Sequence, residues 1–180
     1  MSSPYAHSML SAFVPVLAGA ALLVLAGFGK VRRPAPTVGA LKSVELSVRP
    51  STVRALGLGE IVLGLATIAP GGPIPAAVLG VAYLGFAAFI VLALRTGGAL
   101  SSCGCLGRPD TPPTRSHAIV TALIGVSALV AAGFGGVHAT ALRWSGPDAT
   151  LLAFAALVTW LAWLVFAVLP HARLPRLEGR

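Results

Sequence analysis

Cys103 and Cys105 are the only two cysteines in the 180-residue chain, and one glycine separates them. Three chemistries are open to such a pair. In the first it cycles between dithiol and disulfide: a thiolate attacks a partner's sulfur, and the neighbouring thiol resolves the mixed disulfide. A disulfide between cysteines one residue apart closes a small ring that departs from relaxed geometry and is easily reduced. Gly104 has no Cβ and reaches the backbone angles that such a closure needs. Arg108, with Arg95 further back, favours the thiolate. In the second chemistry the two sulfurs bind a soft metal such as Cu(I). Two sulfurs alone are a poor site, and the same side of the chain adds only His117 and His171. The third is a structural disulfide or two inert thiols, although a glycine-flanked pair in a polar segment is not a typical buried thiol. The residues fit the first chemistry best and leave the other two open. They predict no resident metal.

The chain that must position this pair is built for lipid. It is 56% hydrophobic and only 10% charged, against about 25% charged in soluble domains. So few charges do not make a water-soluble surface. The formal charge is +8, but the basic residues fall between apolar runs, as in membrane proteins, and the chain is not expected to bind nucleic acid. Met1–Leu10 contains no Lys or Arg, whereas Lys30, Arg32 and Arg33 follow the first apolar run. That run therefore reads as a retained helix and not as a cleaved signal.

Five spans are predicted, over 12–29, 52–69, 74–94, 117–134 and 149–169. Each is about long enough to cross the hydrocarbon. Pro15 is expected in the first turn of span one, where a missing N–H matters least. Between spans one and two, Val38, Leu41, Val44 and Val48 are spaced as one apolar stripe, which reads as a short interfacial helix bracketed by Pro34, Pro36 and Pro50. Pro70-Gly71-Gly72-Pro73 is a tight turn. Arg95–Ser116 is a long polar loop in which seven Gly and Pro residues exclude a continuous helix, and Thr114 or Ser116 can cap the next span. Small residues four apart in span four, Ser127/Ala131 and Ala128/Ala132, read as ordinary alanine-rich composition. The expected fold is all-α: a membrane bundle with a four-helix core, a fifth C-terminal span and a basic tail over 170–180, all in one domain.

Parity puts the end of span one, the start of span two and the end of span three on one membrane side, whichever way the chain is inserted. Lys30, Glu60, Arg95 and the cysteine loop therefore share a face. Glu60 is the one acid inside an apolar run. A charge at the centre of a membrane helix costs roughly 2.5–3.5 kcal/mol on insertion scales, so Glu60 needs a partner, and Lys30, Arg54 and Arg95 are the candidates. The role is either structural, as an ion pair or a protonated, hydrogen-bonded acid, or that of a proton acceptor near the thiols, the structural role being favoured. Twelve of the thirteen Lys and Arg lie on this side, Arg143 alone on the other. The positive-inside rule then puts the cysteine loop in the cytoplasm.

With Cys103-Gly104-Cys105-Leu106-Gly107 after span three, Gly27-Phe28-Gly29-Lys30 closing span one and Glu60 in span two, the chain resembles the MauE family of methylamine-utilisation membrane proteins. That family is similar to DoxX-like proteins, and its four-helix core is similar to that of vitamin K epoxide reductase. The resemblance covers about 12–134. Leu106 stands where the family usually has Phe. It implies a multi-pass protein of the plasma membrane that supports thiol–disulfide chemistry with a thioredoxin-like partner, and it carries over Cys103 and Cys105 as the reacting residues. Gly104, Arg108, Lys30, Glu60 and Arg95 are the supporting residues. A role in making extracytoplasmic disulfides places the pair outside, opposite to the charge count. No cofactor is evident; a quinone suits such chemistry, but no residue specifies one. A non-catalytic assembly subunit, or a soft-metal handler, is the alternative from a different class.

Overall fold

The structure, a computed structural model, describes residues 4–42, 45–95, 114–137 and 153–161, of which 4–13 are described by their backbone alone. The described residues form helices and no strand: α1 (Pro4–Arg32), α2 (Ala35–Lys42), α3 (Pro50–Ile68), α4 (Pro73–Arg95), α5 (Arg115–Gly133) and α6 (153–161). Four of them, α1, α3, α4 and α5, are long and apolar enough to cross a membrane. They correspond to the first four predicted spans. Of the predicted fifth span over 149–169, residues 153–161 are helical and the remainder lies outside the described residues.

Two local expectations are corrected. α1 begins at Pro4, so Pro15 lies inside the helix and not in its first turn. Proline at the first helical position is pre-set for a helix, and nothing from Tyr5 to Val14 breaks one. The helix therefore extends back through Pro15 at the cost of one main-chain bond. The interfacial stripe also fails as drawn. α2 ends at Lys42, with Pro36 inside its first turn, and its buried residues are Thr37 and Ala40. Ala40 packs with Ala93 and Phe89 at the end of α4. Val48 lies beyond the helix, and Glu45 turns the chain with a φ of 64°. The buried face of the helix is thus made of small residues, with Ala40 docked on α4, and not of a stripe of large ones.

The four spans pack as two antiparallel pairs, α1 with α3 and α4 with α5. Glycines set both contacts. A Cβ on Gly27 would run into the Gly57 carbonyl oxygen, and one on Gly64 would lie 2.7 Å from the Ala20 carbonyl oxygen. In the other pair a Cβ on Gly80 would lie 2.9 Å from the Gly125 carbonyl oxygen. Where no hydrophobic force drives helices together, this close backbone approach gives the van der Waals gain. The core between the pairs holds Val16, Leu23, Leu79, Tyr83, Ile124 and Ala128. Tyr83 crosses it, its hydroxyl donating to the Gly19 carbonyl at 2.7 Å. At the end of the bundle away from Lys30, the Gly72 N–H donates to the Val137 carbonyl at 2.9 Å and joins the Pro70–Pro73 turn to the end of α5. Large apolar side chains such as Leu56, Val62, Leu65, Val81, Ile119 and Leu123 point outward. A soluble monomer does not expose apolar surface on this scale; a lipid-embedded one does.

The glycine contacts predict an asymmetric alanine scan. Gly27→Ala should lower the thermal stability of the detergent-solubilised protein by about 1–3 kcal/mol, as overpacking does. Gly85→Ala, where a Cβ meets nothing within 4 Å, should be neutral or stabilising by up to about 1 kcal/mol.

Candidate functional site

Among the described residues the bundle buries one ion pair. Lys30 lies in the last turn of α1 and Glu60 in the middle of α3. The Lys30 ammonium donates to Glu60 Oε2 at 2.8 Å, and both side chains are buried, 6% and 5% exposed. Helical side chains lean toward the N-terminus of their helix. In antiparallel neighbours this leans Lys30 up into the bundle and Glu60 down toward its end, so the two meet. The glycine contact makes the meeting close: a Cβ on Gly57 would lie 3.0 Å from the Cβ of Lys30.

The pair is held from a third side by α4. The Lys30 Nζ lies 5.7 Å from the centre of the Phe86 ring, within range of a cation–π contact. Phe86 meets Tyr83 edge to face, with centroids 5.8 Å apart and an interplanar angle of 76°. Tyr83 in turn bonds back to α1 at Gly19. Glu60 Oε2 is satisfied by Lys30, whereas Oε1 is buried and has no hydrogen-bond partner among the described residues.

Of the three candidate partners for Glu60, the structure selects Lys30. Arg54 and Arg95 are exposed, and Arg95 ends α4 away from the pair. Cys103, Gly104, Cys105 and Arg108 lie outside the described residues. Both ends of the connection that carries them are described. Arg95 closes α4, and Thr114 caps α5, its hydroxyl accepting the His117 N–H at 3.2 Å. Ser116 is inside the helix. These two ends are at the end of the bundle where α1 finishes at Arg32 and α3 starts at Pro50. His117, considered above as a metal helper, is buried in the first turn of α5. Phe86 and Tyr83 are the residues around the pair that sequence reasoning missed. Both read as ordinary apolar residues of a span, and only the packing of α4 against α1 brings them to it.

Residues 7–138 match the family of the methylamine utilisation protein MauE. The chain belongs to the MauE family. The match includes all of α2 to α5, both cysteines and the Lys30–Glu60 pair. No curated protein and no solved structure matches the chain. Membership, with four membrane-length helices, makes this MauE-family chain a membrane protein.

A buried pair that loses one partner leaves an uncompensated charge, whereas one replaced whole by apolar side chains often does not. Lys30→Met should therefore destabilise the protein by about 3–5 kcal/mol, and Lys30→Met with Glu60→Met should recover most of that loss. Thermal unfolding of the purified variants in one detergent checks both.

Proposed function

We propose that this MauE-family protein supports thiol–disulfide exchange through Cys103 and Cys105 at one face of the plasma membrane. The observation that carries the reading is the place of the pair. The only two cysteines of the chain lie inside the family match, on the connection from α4 to α5. That connection leaves the bundle at the end where Lys30 and Glu60 tie α1 to α3. The exchange is balanced within two proteins. The two thiols of this chain become a disulfide as a thioredoxin-like partner's disulfide becomes two thiols, with two electrons and two protons passing to the partner; the reverse direction oxidises the partner. One cysteine attacks, and the other releases the mixed disulfide. Gly104 gives the backbone freedom for ring closure, and Arg108 favours the attacking thiolate. Lys30 and Glu60 act as positioning residues. The whole chain is one membrane domain in this reading, with a fifth span over 149–169 and a basic tail after it.

The basic residues favour the cytoplasmic side for this face. Charges held in helix-bound pairs count for little in topology, but among the described residues only Lys30 is so held. Arg32, Arg33, Lys42, Arg49, Arg54, Arg95 and Arg115 are all exposed and make no ion pair with a described residue. They are free to act as retention signals.

Two experiments test the reading. After poising membranes with glutathione mixtures, mass-tagging of thiols should show the wild-type pair passing between reduced and oxidised forms. One of Cys103→Ser and Cys105→Ser, the variant that keeps the attacking cysteine, should accumulate a mixed disulfide with a thioredoxin-like protein; the other should not. A pair that stays reduced throughout, with no trapped partner in either variant, contradicts the exchange. Copper-dependent protection of both thiols would point to metal handling instead. In intact cells, an impermeant thiol reagent should leave the pair unlabelled. Labelling from outside would reverse the orientation and fit a role in extracytoplasmic disulfide formation.

A further inference from the structure

The charges of the described bundle are distributed very unevenly. Arg32, Arg33, Lys42, Arg49, Arg54, Arg95 and Arg115 are exposed at the end where α1 and α4 finish and α3 and α5 begin. Among the described residues one exposed acid, Glu45, accompanies them there. At the opposite end, the described turns over 69–73 and 134–137 carry no charged residue. Seven exposed cations at one end of a lipid-embedded bundle need counter-ions, and among the described residues Glu45 is the only exposed acid there.

We infer that this end is an anionic-phospholipid site, a basic collar that binds the phosphate groups of negatively charged glycerophospholipids. Three features of the structure fit headgroups better than a free anion. The cations come from the ends of five helices, α1, α2, α3, α4 and α5, and not from one element. Their level is the interface: Arg32 lies over the Phe28 ring at 4.1 Å, and Phe28 is itself 48% exposed on the lipid-facing surface. An aromatic ring with a guanidinium above it straddles the acyl–headgroup boundary. Finally, α2 lies at this end with its small face docked on α4 through Ala40 and Ala93. Lys42, the last residue of that helix, is exposed. Basic residues close to an anionic leaflet each contribute up to about a fivefold preference, and several act together here.

The test uses the full chain, purified in detergent and exchanged into mixed micelles of phosphatidylcholine and phosphatidylglycerol in equal parts. After gel filtration, mass spectrometry reads the headgroup ratio retained. The wild type should enrich phosphatidylglycerol by about fivefold or more, and the enrichment should fall as salt screens it. Neutralising three collar residues away from the buried pair, Arg33→Gln, Lys42→Gln and Arg49→Gln together, should bring the ratio close to the input. The variant's unfolding temperature in phosphatidylcholine alone should match the wild type. If the variant does not fold, the salt dependence of the wild-type enrichment decides alone. Equal retention of both lipids by the wild type, or an enrichment indifferent to salt, overturns the proposal. Displacement of the lipid by inorganic phosphate at matched phosphorus also overturns it, because the site would then be one for a free anion. Thiol exchange is not read in this experiment, so either proposal can fail without the other.

Discussion

The bond between Lys30 and Glu60 is the constraint that the rest of the bundle accommodates. A lone carboxylate on a membrane helix is costly, and so is a lone ammonium drawn in from a helix end. Each removes most of the other's cost only if α1 and α3 run antiparallel at one register. Gly27 and Gly57 make that register reachable by letting the two backbones touch. Phe86 then covers the ammonium, and Tyr83 ties α4 to the Gly19 carbonyl. Once α4 is placed, its glycine contact with α5 follows through Gly80 and Gly125. Two polar contacts and three glycine contacts thus order four helices that water-driven burial does not hold together.

This arrangement bears on the cysteines through the chain. The connection from Arg95 to Thr114 is anchored at two helix ends whose positions descend from the α1–α3 register. The same end gathers the exposed basic residues, while the opposite end is closed by the uncharged Gly72–Val137 bridge. A bundle polarised in this way has one face rich in exposed cations, where both proposals place their chemistry, and one uncharged turn face that closes the fold.

Much of the fold was legible because lipid imposes simple rules. The length of each apolar run set the spans: 52–69 was expected where α3 occupies Pro50–Ile68, and 74–94 where α4 occupies Pro73–Arg95. Parity, with closeness to the helix ends, limited the candidate partners of Glu60 to three cations. The choice of Lys30 over Arg54 and Arg95 was not legible, because it depends on which faces of α1 and α3 meet. The glycines decide that, and glycine has no hydropathy signal to mark its face. The four-apart small residues of α5 were an indirect hint; Ala128 and Ala131 are buried, but the close approach is made at Gly125. The stripe from Val38 to Val48 misled for a related reason. At a helix that docks on protein, the small residues Thr37 and Ala40 go inward, and the larger apolar ones need only the interface. Pro15 was assigned to a helix start because proline usually marks one, whereas here Pro4 does so.

The central claim is that the Lys30–Glu60 bond is a structural constraint that fixes the α1–α3 register. Exchanging the two charges tests it most directly. Thermal unfolding of Lys30→Glu, Glu60→Lys and the combined exchange should show two badly destabilised single variants and a double variant that regains most of the loss, because the pair is restored between the same helices. A double variant no more stable than either single one would contradict the account, since the register would then be set without the bond.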